Sequence, residues 1–86
     1  MNAEQRGLAR HALGLPNRRK ISYRNHFVAG IEHHDFAAWQ EMVAANEAIR
    51  RNPSPITGGD YCFQLTKLGA TGALNNGEAL DAEDFG

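Results

Sequence analysis

Tyr61-Cys62-Phe63-Gln64-Leu65-Thr66-Lys67-Leu68-Gly69 is the stretch that decides the fold. Tyr61, Phe63 and Leu65 alternate with Cys62 and Gln64, the period of a strand that buries one face. Thr66 then offers a hydroxyl at the position of a helix N-cap. The stretch predicts a strand that runs straight into a short helix, from about Lys67 to Leu74. Gly69 and Gly72 each weaken that helix by about 1 kcal/mol relative to alanine, so packing has to hold it.

Upstream, Asn52-Pro53-Ser54-Pro55-Ile56-Thr57-Gly58-Gly59 is too rich in proline and glycine for regular structure and reads as a hairpin loop. Ahead of it, Phe36, Trp39, Met42 and Val43 share one face of a helix, with Ala37, Glu41 and Ala44 on the other. Asp35 is its expected N-cap. Trp39 is expected to lie buried against Phe36, Val43 and the final helix. Asn46 tolerates the left-handed conformation that closes many helices. If the helix stops there, Ala48-Ile49-Arg50-Arg51 is the first hairpin strand; helix through Arg51 is the alternative.

Residues 3–13 read as a first helix, ended by Gly14 and Pro16. Leu8, His11, Ala12 and Leu15 fall near one face, with Arg6 and Arg10 opposite, so His11 is expected to be a hydrogen-bonded core residue. Residues 17–34 show no second amphipathic helix. Ile21, Tyr23 and Phe27-Val28 suggest extended pieces, broken by Asn25-His26 and Gly30.

Length and composition bound the rest. Eighty-six residues with 42% hydrophobic and 22% charged side chains make one small globular domain, with little room for a buried multi-residue catalytic pocket. A single cysteine, Cys62, excludes an intramolecular disulfide. No apolar run approaches the roughly 20 residues of a membrane span. The N-terminus lacks the apolar core of a signal peptide. A soluble protein of a reducing compartment is the expectation.

Net charge is −1, but the charges are segregated. Residues 1–24 carry six bases against Glu4 alone, whereas residues 75–86 carry Glu78, Asp81, Glu83 and Asp84 and no base. The expected organisation is therefore a domain over residues 1–74 and an acidic flexible tail over 75–86.

Candidate chemistry is sparse. His26, His33, His34, Asp35 and Cys62 are ligand types for a metal, yet adjacent histidines on an extended segment point to opposite faces. No metal site, cofactor or catalytic residue is expected. Gly58-Gly59 precedes a strand, not the helix that a phosphate loop opens. Arg18, Arg19 and Lys20 with Tyr23 mix basic and aromatic character, which suits phosphate contact with stacking. Arg24, Asn25 and His26 lie between Tyr23 and Phe27, as polar groups on an anchored backbone. Arg24 reads either as part of this surface or as an internal ion-pair partner of Asp35 or Asp60. Arg50 and Arg51 extend the candidate binding set on the hairpin.

Two segments resemble a group of small proteins encoded by phages and prophages. They are Leu8-Ala9-Arg10-His11-Ala12-Leu13-Gly14-Leu15-Pro16-Asn17, followed by Tyr23-Arg24-Asn25-His26-Phe27, and Gly58-Gly59-Asp60-Tyr61, leading into Phe63-Gln64-Leu65-Thr66 and Gly69. With Trp39 and Met42-Val43 between them, the resemblance covers about residues 8–74. The C-terminal half also resembles the end of a winged helix. The resemblance implies a small α+β, winged-helix-like domain: helix, irregular segment, central helix, hairpin, short helix. It departs from that pattern in lacking a helix over 17–34. The central helix also offers only Gln40 and Asn46 as base-reading side chains. The resembled group has no established function; the expected function is that of a non-enzymatic phage- or prophage-type accessory protein in the bacterial cytoplasm that binds a host or phage macromolecule, a protein first, to inhibit or redirect it. A DNA-binding transcriptional regulator is the alternative.

Overall fold

A computed structural model describes residues 1–85; Gly86, the last position of the expected tail, lies outside the described residues. The fold is α+β, a three-stranded antiparallel sheet with helices around it. In chain order the elements are α1 (Ala3–Leu13), β1 (Phe27–Ala29), α2 (Phe36–Ala44), β2 (Ala48–Arg51), β3 (Tyr61–Leu65), α3 (Lys67–Gly72) and α4 (Ala82–Phe85). The sheet order is β1-β3-β2.

The hairpin forms as expected. Ala48 stands opposite Leu65 and Arg51 opposite Cys62. The alternative of helix through Arg51 fails because α2 ends at Ala44 and Asn46 turns left-handed at φ 65°. Thr66 caps α3 by accepting from the Gly69 N–H at 3.2 Å. Its hydroxyl also donates to the Asn46 carbonyl at 2.7 Å, and its own N–H bonds the Glu47 carbonyl at 3.0 Å. The two turns at the base of the hairpin are thereby tied together. A Cβ at position 69 would lie 2.0 Å from the Glu47 carbonyl oxygen, so only glycine fits this close approach.

Trp39 is fully buried, as expected, but its ring partners come from strands rather than from the final helix. It stacks on Phe63 at 5.4 Å between centroids and lies 5.3 Å from Phe27. Such aromatic pairs add about 0.5–1.5 kcal/mol beyond area burial. Its indole N–H finds no acceptor among the described residues.

Helix α1 has the expected bounds but a different buried face. Gln5, Ala9, Ala12 and Leu13 point inward and His11 is exposed, its ring edge against Phe27 at 5.7 Å. The reason lies in α3, which packs on α1 through small residues: Ala70 and Ala73 are fully buried, like Ala9 and Ala12. The arginines then lie beside α3 rather than opposite the core. Arg6 donates to the Leu74 carbonyl and Arg10 to the Ala73 carbonyl, both at 3.0–3.1 Å. A cation at a helix C-terminus satisfies orphan carbonyls and complements the dipole.

Residues 75–85 do not form the loose tail expected of them. Glu78 meets Arg10 through two contacts, one of 2.8 Å, with side-chain exposures of only 7% and 11%. The Arg10 hydrogen bond, with help from the Asn75 N–H, holds the Glu78 carboxyl at about 2, well below its ordinary 4.5. Ala79 forms a parallel bridge with Ile21, and the Asp81 N–H donates to the Ser22 hydroxyl at 2.9 Å. Leu80 and Phe85 pack against the core.

Candidate binding surface

The segment 22–29 is built from both ends. Gly14 closes α1 at φ 79°, and a Cβ there would lie 2.2 Å from the Tyr23 ring, so the ring lies directly over the glycine. The carbonyls that α1 leaves unpaired are then taken up by this segment. The Tyr23 N–H bonds Leu13 at 3.1 Å and the His26 N–H bonds Ala12 at 3.3 Å. Arg24 donates twice to the His11 carbonyl, at 2.7 and 3.2 Å, and its guanidinium lies 5.3 Å from the Tyr23 ring centroid. Arg24 therefore serves a helix C-terminus; the ion pair with Asp35 or Asp60 does not form. Asp35 faces His33 and His34 instead, and Asp60 lies against Gly30.

Asn25 continues β1 with its side chain. Phe27 pairs with Phe63, so the next inward-facing pair toward the N-terminus would be Asn25 with Leu65. There the Asn25 amide donates to the Leu65 carbonyl at 3.0 Å and accepts from the Leu65 N–H at 2.8 Å. Both functions of the amide are used, so Asn25 is a structural residue and not a free binding group.

The sheet has two unlike faces. Phe27, Ala29, Ala48, Phe63 and Leu65 point to the core. Val28, Ile49, Arg51, Cys62 and Gln64 alternate with them and point to the other side, where Val28, Ile49 and Arg51 are exposed and Cys62 and Gln64 half-buried. Val28 and Ile49 are 41% and 43% exposed. At the edge of this face a groove of about 580 Å³ is lined by Arg24, Asn25, His26, Ile49, Arg51 and Gln64, with Asp84 at its rim. Arg51 donates to the Gln64 side chain at 2.7 Å.

The nine candidate residues thus divide. Arg24, Asn25, His26 and Arg51 converge on the groove. Arg18, Arg19 and Tyr23 line a separate cleft of about 330 Å³, with Asp81 also on its wall. Lys20 is exposed at the same turn with φ 59°. Arg50 leaves the set: neighbours on a strand point to opposite faces, and it stacks over Tyr61 at 4.8 Å and bonds Gln40 at 3.2 Å. Among the described residues none of these cations has a carboxylate within ion-pair distance. Ile49 and Gln64 belong to the groove but were not among the candidates. Their outward positions were readable from the strand alternation, whereas Asp84 arrives only through folding of the C-terminal segment.

No helix among the described residues is long and apolar enough to cross a membrane. Comparisons with protein-family models, with curated proteins and with solved structures find no match to this chain.

Proposed function

We propose that the protein is a non-enzymatic binding module of the phage or prophage accessory type, which docks a host or phage protein in the bacterial cytoplasm. The observation that carries this reading is the outer sheet face. It exposes Val28 and Ile49 beside Arg24 and Arg51, two guanidiniums bonded only to neutral acceptors. An apolar centre with unpaired cations at its edge fits a partner surface that presents acidic side chains around an apolar anchor. The order of helix, strand, helix, hairpin and helix supports the winged-helix-like description.

The test is capture from a bacterial lysate, with and without nuclease, using the wild type and the variants Ile49→Asp and Arg51→Glu. Both positions are exposed, so folding should survive. The expected result is a nuclease-resistant partner that both variants lose. Capture that disappears with nuclease, or that both variants retain, overturns the assignment of this face.

The second reading is DNA binding, favoured by the unpaired Arg18, Arg19 and Lys20. Against it, α2 exposes Ala37, Glu41 and Ala44 and no cation, and Arg50 and Arg51 diverge. Phosphate contacts would make affinity fall steeply with salt. Weak duplex binding at physiological salt is expected. A sequence-specific nanomolar complex there would promote the regulator reading.

A further inference from the structure

Away from the outer sheet face, the turn before α2 gathers three metal-ligand side chains. The Gly30 carbonyl accepts from the His33 N–H at 2.9 Å, and the His33 carbonyl accepts from the Phe36 N–H at 3.0 Å. These bonds make 30–36 a folded turn and not an extended strand. The two imidazoles therefore do not point apart, as adjacent residues on a strand would. They stack with centroids 4.6 Å apart and planes 16° from parallel. The His33 ring edge rests on Phe27, 6.0 Å away.

Asp35 completes the group. It holds the N-cap position of α2, yet its side chain makes no capping bond and its backbone is helical (φ −88°, ψ −5°). The carboxylate is turned back to the histidines, with one oxygen 3.4 Å from His34 Nε2 and the other 3.8 Å from His33 Nδ1. One ligand atom from each of the three residues lies within 4.8 Å of the other two. The Asp35 N–H donates to His33 Nδ1 at 3.0 Å, so that nitrogen carries a lone pair and the ring proton sits on Nε2.

We propose that His33, His34 and Asp35 bind one divalent transition-metal ion of the zinc or nickel class, with water filling the remaining positions. Two imidazoles and one carboxylate are a donor set for such ions and a poor one for magnesium or calcium. At zinc–nitrogen bonds of about 2.0–2.1 Å, tetrahedral ligand atoms sit about 3.4 Å apart, so the widest separation, within 4.8 Å, has to close by up to about 1.4 Å. His34 is 87% exposed and free to swing, while the Asp35 carboxylate, 17% exposed, stays as the anchor. The ion replaces the Asp35 N–H at His33 Nδ1. The positive end of the α2 dipole opposes a cation here, and the Asp35 charge offsets it. Binding is accordingly weaker than in a four-ligand structural site.

The test is calorimetric titration of the full, untagged chain with Zn²⁺ at neutral pH, alongside Mg²⁺. Amide NMR locates the response. One saturable Zn²⁺ site with a dissociation constant below about 1 mM is expected, with shifts centred on 31–38 and no response to Mg²⁺. His34→Ala and Asp35→Asn should each weaken it at least about tenfold, the lower end of the loss that even an outer hydrogen-bond partner of a ligand produces. Asparagine is as good an N-cap as aspartate, so the second variant keeps the helix start. The variant His11→Ala, at an exposed histidine outside the site, should bind as the wild type does. Absence of saturation at millimolar Zn²⁺, or equal affinity in the wild type and His34→Ala, overturns the site.

Discussion

The two faces of the sheet are made by the same strands, β2 and β3, and they differ in burial. The inner face sets Phe63, Leu65 and Ala48 against Trp39 and Phe27, all but Phe27 under a tenth exposed. The outer face carries Ile49 and Arg51, which are exposed, and Cys62 and Gln64, which are half-buried. A period of two assigns stability to one side and leaves the other free for recognition. Exposed residues on the outer face can therefore change with little effect on folding.

The largest test of this division is at Trp39. Trp39→Ala should cost about 3–5 kcal/mol and leave a domain of roughly 5–15 kcal/mol total stability largely unfolded at physiological temperature. Trp39→Phe should cost clearly less, because it also removes the buried indole N–H that has no acceptor. A melting curve indifferent to Trp39→Ala would mean that the inner face has been assigned to the wrong side of α2.

Next comes Asn25, where a polar residue serves the inner architecture. Asn25→Ala leaves the Leu65 N–H and carbonyl without the amide, at a cost of about 1–3 kcal/mol. Amide exchange at Leu65 should accelerate while Phe63 stays protected. Wild-type stability in this variant, with binding lost, would return Asn25 to the recognition set.

The clamp between α1 and the C-terminal segment gives a pH signature. The folded Glu78 carboxyl is held at about 2 against an ordinary 4.5. A depressed carboxyl stabilises the fold above its unfolded value, and that contribution disappears as pH falls from about 4.5 toward 2. Melting temperature should drop across that window in the wild type and less in Glu78→Gln. Parallel pH curves for the two proteins would show that the clamp does not hold in solution.

The smallest effect belongs to the outer face. Arg51→Glu, at an exposed position, should shift stability by no more than about 0.5 kcal/mol. Chemical unfolding midpoints measure this directly. A loss as large as that of Trp39→Ala would erase the distinction between the faces.

Much of this architecture was legible. Helix α1, the hairpin over 48–51 and 61–65, the Thr66 cap and the Asn46 turn all follow from residues within a few positions of each other. The polar run Arg24-Asn25-His26 was legible as anchored, yet its anchors were not. Composition does not distinguish a side chain that awaits a partner from one that bonds a carbonyl thirteen residues back or a backbone forty residues ahead. The exposure of His11 has a related cause: a single helix does not reveal which of its faces a later helix will cover. The folded turn at 30–36 had no periodic signal at all, and this is what set His33 and His34 side by side.

What the sequence by itself determined is therefore local: capping, strand alternation and the positions where glycine or asparagine must turn left-handed, because backbone sterics and short-range hydrogen bonds act within one or two turns. Tertiary structure decided which charges remain free. It brought Glu78 to Arg10 across 68 positions, folded the acidic segment along Ile21 and Ser22, and joined Arg24 to Arg51 at one groove. Charge interactions depend on distance and burial, and neither exists until the chain has closed on itself.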